Sequence, residues 1–281
     1  MTVPSLTLNN GVSIPQVGLG VFQVPDDGTQ ANVEKALELG YRHVDTAAAY
    51  YNEAGVGAAL RASGLPREDV FVTTKLRNGD QGYEQALKAF EDSRRELGVD
   101  YVDLYLIHWP VPSKGLYVET WKAFEKLLAD GAVRAIGVSN FLPDHLERLV
   151  AESDVVPAVN QVEVHPTFQQ ADVQAKCREL GIVVEAYSPL GRGADLEAPA
   201  VTATATEIGV TPAQVVLRWA IQQGIVVIPK SVSPERQATN IDLFSFELSD
   251  DQMAQISALE AGVEGRTGGD PATAAFTQFR S

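Results

Sequence analysis

The amino-acid sequence predicts an α/β protein, a (β/α)8 TIM barrel with an N-terminal β-hairpin plugging its bottom. Three observations lead there. Eight compact apolar runs alternate with stretches of helical periodicity, the pattern of a parallel sheet covered by helices. At 281 residues the chain has the size of a one-domain barrel, typically ~250, although ~150 residues per domain would also allow two. No linker, low-complexity stretch or charge block interrupts the first 260 residues, so 1–281 reads as one domain.

The elements follow in order. Leu6 and Leu8, a turn at Asn9-Asn10-Gly11, then Val12 and Ile14 have the alternation and turn residues of a hairpin. The strand runs are residues 17–20, 43–45, 71–75, 102–108, 135–139, 158–162, 183–187 and 226–228. Between them, Leu87, Phe90, Arg94 and Leu97, and then Trp121, Phe124 and Leu128, recur at the three- and four-residue spacing of a helix face. Thr211-Pro212-Ala213-Gln214 is a capping box with proline at the first helical position, and Gly224 closes that helix. Ser249-Asp250-Asp251-Gln252 is a second capping box. The competing architecture is an open doubly wound sheet, but its dinucleotide fingerprint is missing. Gly18-Leu19-Gly20 is followed by Gln23, where a third small residue is wanted, and the next helix is expected only near Thr29. Gly55-Val56-Gly57 lies inside a helical stretch. Both pairs read better as glycines for turns and close packing.

Composition narrows the class of function. With 22 Lys+Arg against 37 Asp+Glu, the net charge is −15, and such a field repels nucleic acid and anionic membranes. A small anion held by a local cluster of cations is still compatible with it. The single cysteine, Cys177, allows no intrachain disulfide and suits a reducing compartment. No secretory signal or Asn-x-Ser/Thr sequon is present, and no apolar run approaches the ~20 residues of a membrane span. The expected location is the cytoplasm. His43, His108, His145 and His165 lack metal-ligand spacing, so no metal is expected.

In a barrel, chemistry sits at the C-terminal ends of the strands. Those ends carry Asp45 with Tyr50 five residues on, then Lys75, His108, Ser139-Asn140, Gln161 with Glu163 and His165, Glu185 with Tyr187, and Lys230-Ser231. Neighbouring strands lie ~4.8 Å apart, so Asp45, Tyr50, Lys75 and His108 can meet at one spot. Singly each has an ordinary reading as a cap, an ion pair, a core histidine or a rim tyrosine. Together they suggest a phenol whose pKa, normally ~10, is lowered toward neutrality by the Lys75 ammonium, itself held charged by Asp45. His108 would then donate to a substrate oxygen, an arrangement suited to proton transfer to a carbonyl while hydride arrives from elsewhere. A second cluster, Lys230, Ser231, Ser233 and Arg236, gathers two cations and two hydroxyls where Ser233 and Pro234 start a helix. It is either a solvated cap or an anion site.

Six motifs follow one another along the chain. They are Gly40-Tyr41-Arg42-His43-Val44-Asp45-Thr46-Ala47 with Tyr50 and Asn52-Glu53, Thr74-Lys75-Leu76, and Asp103-Leu104-Tyr105-Leu106-Ile107-His108-Trp109-Pro110, then Ile136-Gly137-Val138-Ser139-Asn140-Phe141, Asn160-Gln161-Val162-Glu163-Val164-His165-Pro166 and Ile228-Pro229-Lys230-Ser231-Val232. Through them the chain resembles the aldo-keto reductases from end to end, and the resemblance looks closest to the bacterial 2,5-diketo-D-gluconic acid reductase group. It implies that Tyr50 is the general acid, supported by Asp45 and Lys75, with His108 orienting the carbonyl. It implies an NADPH cofactor: Ser139, Asn140 and Gln161 on the nicotinamide carboxamide, Tyr187 stacked on the ring, and Ser188 and Leu190 along the pyrophosphate. Lys230, Ser231, Ser233 and Arg236 would take the 2′-phosphate, with Asn240 near the adenine. Phe22, Tyr51 and Trp109 would form apolar walls for the substrate, and the tail 263–281 would cover the pocket loosely. Two departures stand out. Thr239 replaces a glutamate that many relatives direct at the adenine, and Arg77 stands where an aromatic is frequent. If Arg77 faces the pocket it favours anionic or hydroxylated substrates; otherwise it is a solvated loop arginine.

The expected function is therefore NADPH-dependent reduction of an aldehyde or ketone, keto sugars and dicarbonyls included, by a monomer with broad specificity. Two alternatives stand beside it. A barrel glycosidase would use carboxylates such as Asp45, Glu163 or Glu185, but leaves Tyr50, Lys75 and the second cluster unexplained. A nucleotide-sensing protein of the same fold would keep the NADPH site and lose turnover.

Overall fold

The computed structural model describes residues 3–277. The hairpin is present: β1 (Ser5–Thr7) and β2 (Ser13–Pro15) pair antiparallel with Leu6 opposite Ile14. Eight parallel strands follow in sequence order around one sheet. They are β3 (Leu19–Gly20), β4 (His43–Asp45), β5 (Phe71–Leu76), β6 (Val102–Ile107), β7 (Val133–Ser139), β8 (Val159–Glu163), β9 (Val183–Tyr187) and β10 (Val226–Val227). Parallel bridges Val17↔Val227 and Gly20↔Lys230 join the first strand to the last, so the sheet closes and the open doubly wound alternative is excluded. Regular pairing in the first run is limited to Leu19–Gly20, because the closing contacts at Val17 and Gly20 are single bridges.

The helices α1 (Asp26–Glu38), α2 (Glu53–Ala62), α3 (Tyr83–Leu97), α4 (Tyr117–Ala129), α5 (Pro143–Ala151) and α6 (Ala171–Leu180) connect successive strands. Two helices, α7 (Pro199–Ile208) and α8 (Pro212–Gln222), separate β9 from β10. Then α9 (Pro234–Ile241) and α10 (Asp250–Ser257) complete the set. The first helix starts at Asp26 rather than near Thr29, with Asp26 and Asp27 in the turn where the helix dipole favours negative charge. Both capping boxes form: Thr211 accepts from the Gln214 amide and Ser249 from the Gln252 amide. Each such cap contributes about 1 kcal/mol.

The barrel interior is divided along its axis. At the bottom, Leu8 and Ile14 of the hairpin pack with Phe71, Leu104, Leu106, Ala135, Val159 and Val226, all buried. Asn9 and Asn10 lock the hairpin there by donating to the carbonyls of Pro157 and Arg134. A larger apolar layer between sheet and helices includes Phe90, Tyr105, Trp121 and Phe124, with Tyr105 and Phe124 stacked at 4.4 Å. The upper interior is polar instead: His43, Asp45, Thr73, Lys75, Gln161 and Glu185 are all buried there.

Glycines permit two close approaches. A Cβ on Gly20 would lie 2.9 Å from the Ile228 carbonyl, across the seam that closes the barrel. One on Gly57 would lie 2.0 Å from the Leu97 carbonyl, so α2 and the end of α3 touch backbone to backbone. Gly57→Ala is expected to destabilise the fold by about 2 kcal/mol through overpacking, read as a lower urea midpoint with unchanged slope.

Candidate active site

The strand register assembles the site. Side chains alternate along a strand, so Thr73 and Lys75 of β5 point inward at successive levels. Asp45 pairs with Thr73 across β4 and β5, while Ser139, Gln161 and Glu185 form one row across β7, β8 and β9. At the centre is Lys75, fully buried. Its ammonium reaches Asp45 Oδ1 at 2.6 Å, the Thr46 carbonyl at 3.0 Å and Tyr50 OH at 3.4 Å. Three N–H donors thus meet three acceptors, the condition for burying a charge at tolerable cost.

The loop that carries Tyr50 is fixed by the residues after it. Asn52 donates to the carbonyls of Val21 and Val24 and accepts from the Thr46 hydroxyl, while Glu53 accepts from Thr74 and Ser93. The Tyr50 ring packs against Phe22 at 5.0 Å and edge-on to His108 at 5.7 Å. On the other side, Asn140 donates to the His108 carbonyl and to Ser139 Oγ, and Tyr187 OH donates to Asn140 Oδ1. Ser139 Oγ donates to the Gln161 carbonyl. The Gln161 amide nitrogen donates to Asp45 Oδ2 and Glu185 Oε2, both at 2.8 Å.

Burial and charge compete over these groups. Desolvation lowers Lys75, but Asp45 and Tyr50 outweigh it and raise the net value, so the ammonium persists. For Tyr50, burial raises the phenol above its ordinary range and Lys75 only partly opposes it. This corrects the expectation of a lowered phenol. Proximity to an ammonium is legible in the chain, whereas the extent of burial is not, and burial prevails. Burial and Lys75 together push His108 well below its usual value, so the imidazole is neutral. Burial and the neighbouring Asp45 push Glu185 up to about 8, and burial takes His43 down to about 3. The 3.5 Å approach of His43 to Glu185 is therefore a contact between two neutral groups at pH 7 rather than an ion pair.

A cavity of about 310 Å³ opens above this cluster. Of the expected residues, Phe22, Asp45, Tyr50, His108, Trp109, Ser139, Asn140, Gln161, Tyr187, Ser188 and Lys230 line it. Lys75 lies directly beneath, bonded to two of them. Gly268, Gly269 and Phe276 of the tail expected over the pocket also line the cavity, and so does Arg192, which sequence reasoning missed. No local pattern in the chain marks Arg192. The tail is anchored rather than loose, by Thr267 and Gly268 amides on Glu163, by Asn78 on the Phe276 carbonyl, and by Phe276 against Trp109 at 5.1 Å. The last four residues of the 263–281 segment lie outside the described residues.

Of the candidates for substrate contact, the expected wall Tyr51 and the open case Arg77 are not among the residues lining the cavity. Tyr51 has left-handed backbone (φ 57°), which turns it away from Tyr50 and leaves it 63% exposed. Arg77 lies past the end of β5 and is ion-paired with Asp80 at 2.8 Å. The second cluster sits to one side of the cavity. Ser231 and Asn240 are buried, Ser233 caps α9 through the Arg236 amide, and Leu190 is half-buried in the segment after β9. Among the described residues, Lys230 and Arg236 are exposed and have no salt-bridge partner, in a chain with 37 carboxylates. Glu235 competes there, accepting from Ser233 Oγ at 2.6 Å. Thr239 turns its hydroxyl onto the Glu235 carbonyl.

The cluster can deliver a proton from a neutral phenol, held by a buried ammonium, to an oxygen in the cavity. The carboxylates a glycosidase would need are otherwise committed: Asp45 to Lys75, Glu163 to His165 and the tail, Glu185 beneath Gln161. Comparison with known proteins agrees. Residues 16–261 match the model of the aldo/keto reductase family. The chain belongs to that family. It is accordingly an oxidoreductase of carbonyl and alcohol carbons. This aldo/keto reductase is 55% identical to an aldo-keto reductase of Mycolicibacterium smegmatis, covering 98% of this chain and 99% of that one. It is 51% identical to the morphine 6-dehydrogenase of Pseudomonas putida, with 98% of each chain covered. A solved structure of a Gox0644 variant in complex with NADPH superposes with a TM-score of 0.94 at 46% identity, covering 98% of this chain and 100% of that one.

Glu185 in this reductase is raised relative to the unfolded chain, so its contribution to stability is full below about 4.5 and is lost as pH rises through about 8. Glu185→Gln keeps the shape and cannot ionise. Thermal melts between pH 5 and pH 9 should show the wild type losing stability relative to the variant as pH rises through about 8.

Proposed function

We propose that this aldo/keto reductase uses NADPH to reduce aldehydes and ketones to alcohols, with Tyr50 as the proton donor. The observation that carries the reading is the Lys75 ammonium held between Asp45 and Tyr50 at the floor of a cavity that His108 and Trp109 also line. NADPH, when bound, supplies the hydride. The protein supplies position and the proton.

The residues present suit that cofactor. With both N–H groups of Gln161 engaged by Asp45 and Glu185, its carbonyl oxygen is left for an amide donor in the cavity. Ser139 and Asn140 stand beside it, and Tyr187 offers a ring face held by its bond to Asn140. Ser188, Leu190 and the newly found Arg192 follow along the diphosphate. Lys230, Ser231, Ser233 and Arg236 at the start of α9 would take the 2′-phosphate, with Glu235 swinging out, and Asn240 lies beyond for the adenine.

At the reacting end, the neutral His108 donates to the substrate oxygen and fixes it near Tyr50 OH. As negative charge develops on that oxygen, Tyr50 transfers its proton, and the neighbouring Lys75 ammonium stabilises the phenolate left behind. Phe22 and Trp109 give flat apolar walls, while Arg192 and Lys230 bring positive charge to the rim. This supports small hydroxylated or dicarbonyl substrates, keto sugars among them. We read the chain as a monomer acting on small molecules in the cytoplasm, with no nucleic-acid or membrane partner. No described helix is long and apolar enough to cross a membrane.

Tyr50→Phe should lower kcat for NADPH-dependent carbonyl reduction by at least about a hundredfold and leave NADPH affinity within about twofold. The assay is NADPH oxidation against aldehydes, α-keto acids, dicarbonyls and keto sugars, and unchanged turnover would remove Tyr50 from its role. Tight NADPH binding without turnover on any of them would instead favour the sensing alternative. Arg236→Ala should raise the KM for NADPH about tenfold and leave that for NADH almost unchanged. Equal losses for the two cofactors would count against a 2′-phosphate site.

A further inference from the structure

The proton-transfer cluster makes no use of a second set of buried ionisable groups. His165, Glu163 and Asp195 meet beside the cavity, each side chain no more than 2% exposed. His165 Nδ1 lies 2.7 Å from Asp195 Oδ2 and Nε2 lies 3.1 Å from Glu163 Oε1. Thr167 donates to Asp195 Oδ1 at 2.7 Å. The Thr267 amide donates to Glu163 Oε1 at 2.7 Å, and the Gly268 amide to Glu163 Oε2 at 2.9 Å. Every strong acceptor has a donor, and both imidazole nitrogens face carboxylates. Among the described residues, no three such groups are arranged to hold one metal ion.

The parts this node joins belong to different walls of the cavity. Glu163 ends β8, two residues after Gln161. Asp195 lies in the helical turn Gly191–Glu197 that follows β9, three residues after Arg192. Thr267 and Gly268 begin the stretch of tail that includes Gly269 and Phe276. The turn has left-handed backbone at Arg192 (φ 53°) and a positive φ at Gly193, so it is not held by a regular helical ladder. A Cβ on Gly191 would lie 2.6 Å from Asp195 Oδ2, so the turn is wrapped tightly around that carboxylate. We propose that His165 is a positioning residue: through Asp195 and Glu163 it ties the turn at Arg192 to the tail at Thr267, so that the cofactor side and the substrate side of the cavity close and open as one unit. This rests on the NADPH-dependent reading above.

The charge state supports the geometry. Burial lowers His165, but Asp195 and Glu163 outweigh it and hold the imidazole up to about 9, while both carboxyls are held below their ordinary values. The other charged or titratable groups around the node are Tyr187 of β9, whose OH lies near Gly268, and Arg266 of the tail, stacked on Phe168 and paired with Asp270. A histidine raised in the folded state stabilises it fully below about 6.5, and that contribution is lost as pH rises through about 9. The carboxyls' contribution is lost at the acid end. The node is tightest in between.

Trypsin reads the node without any ligand, since Arg192–Gly193 and Arg266–Thr267 lie in the two tied segments. On the full chain at pH 7, Asp195→Asn should speed cleavage at both bonds about tenfold, the order expected for weakening one charge-assisted hydrogen bond. Thr267→Ala, which alters only the tail side, should speed cleavage at Arg192–Gly193 as well. Wild-type resistance should fall toward that of Asp195→Asn as pH is raised through about 9. With NADPH, Asp195→Asn should release the cofactor faster and raise the KM for the carbonyl substrate, while single-turnover hydride transfer at saturation stays within about twofold. Unchanged cleavage in Asp195→Asn, or acceleration at one bond only, overturns the proposal. If the wild type failed to bind NADPH, the functional reading would fall, and the cleavage pattern would still decide whether the node couples the walls.

Discussion

The upper half of this barrel depends on a single buried ion pair. An ammonium taken out of water costs several kcal/mol after relaxation, and Lys75 is fully enclosed. The cost is tolerable because β4 and β5 place Asp45 at 2.6 Å and the chain reversal after β4 presents the Thr46 carbonyl and Tyr50 OH. Once that pair is fixed, its neighbours have little freedom. Asp45 has a second oxygen to satisfy, which draws in Gln161 from β8, and Gln161 in turn meets Glu185. A second carboxylate so close to the first, in the same low-dielectric interior, is driven to its neutral form. The row from Lys75 to Glu185 is thus one positive and one negative charge in a polar lattice, and that lattice sets the height and tilt of Tyr50.

Much of this was legible in the chain because barrel strands are buried on both faces. That burial gives near-continuous apolar runs, so a polar residue ending such a run is conspicuous, as Asp45, Lys75, His108 and Gln161 are. The eight runs and both capping boxes appear in the structure within a residue or two. The closure of the sheet was harder, because its evidence is two isolated bridges rather than a pattern of residues. Other features left no local trace. Arg192 and Phe276 reach the cavity through irregular segments whose course depends on long-range hydrogen bonds, such as that from Asn78 to the Phe276 carbonyl. Tyr51 and Arg77 mislead for the opposite reason. Tyr51 directly follows Tyr50 and Arg77 comes two residues after Lys75, yet a left-handed backbone at Tyr51 and the Asp80 partner of Arg77 place them outside the lining.

The division of labour between sheet and loops follows from what each can hold. Strands fix the reacting end, where a displacement of an ångström matters, and the register row Ser139–Gln161–Glu185 is backed by continuous ladder hydrogen bonds. On the proposed reading the long cofactor side would run instead over the turn after β9 and the start of α9, where Lys230 and Arg236, without an ion-pair partner among the described residues, and a helix N-terminus can accept an anion and release it. A cofactor that must leave after each cycle is better held at its far end by such segments than by the barrel itself.

On the reading proposed above, the protonation states suit Tyr50 to giving a proton. A phenol lowered to neutrality would serve equally as acid or base, and nothing in the cluster would bias the reaction. Burial raises Tyr50 instead, so in the free protein the proton is resident and available for donation, while His108 is neutral and does not add a second positive charge beside Lys75. Donation costs a buried phenolate, but that anion forms against an ammonium already in place, and the low dielectric strengthens their attraction.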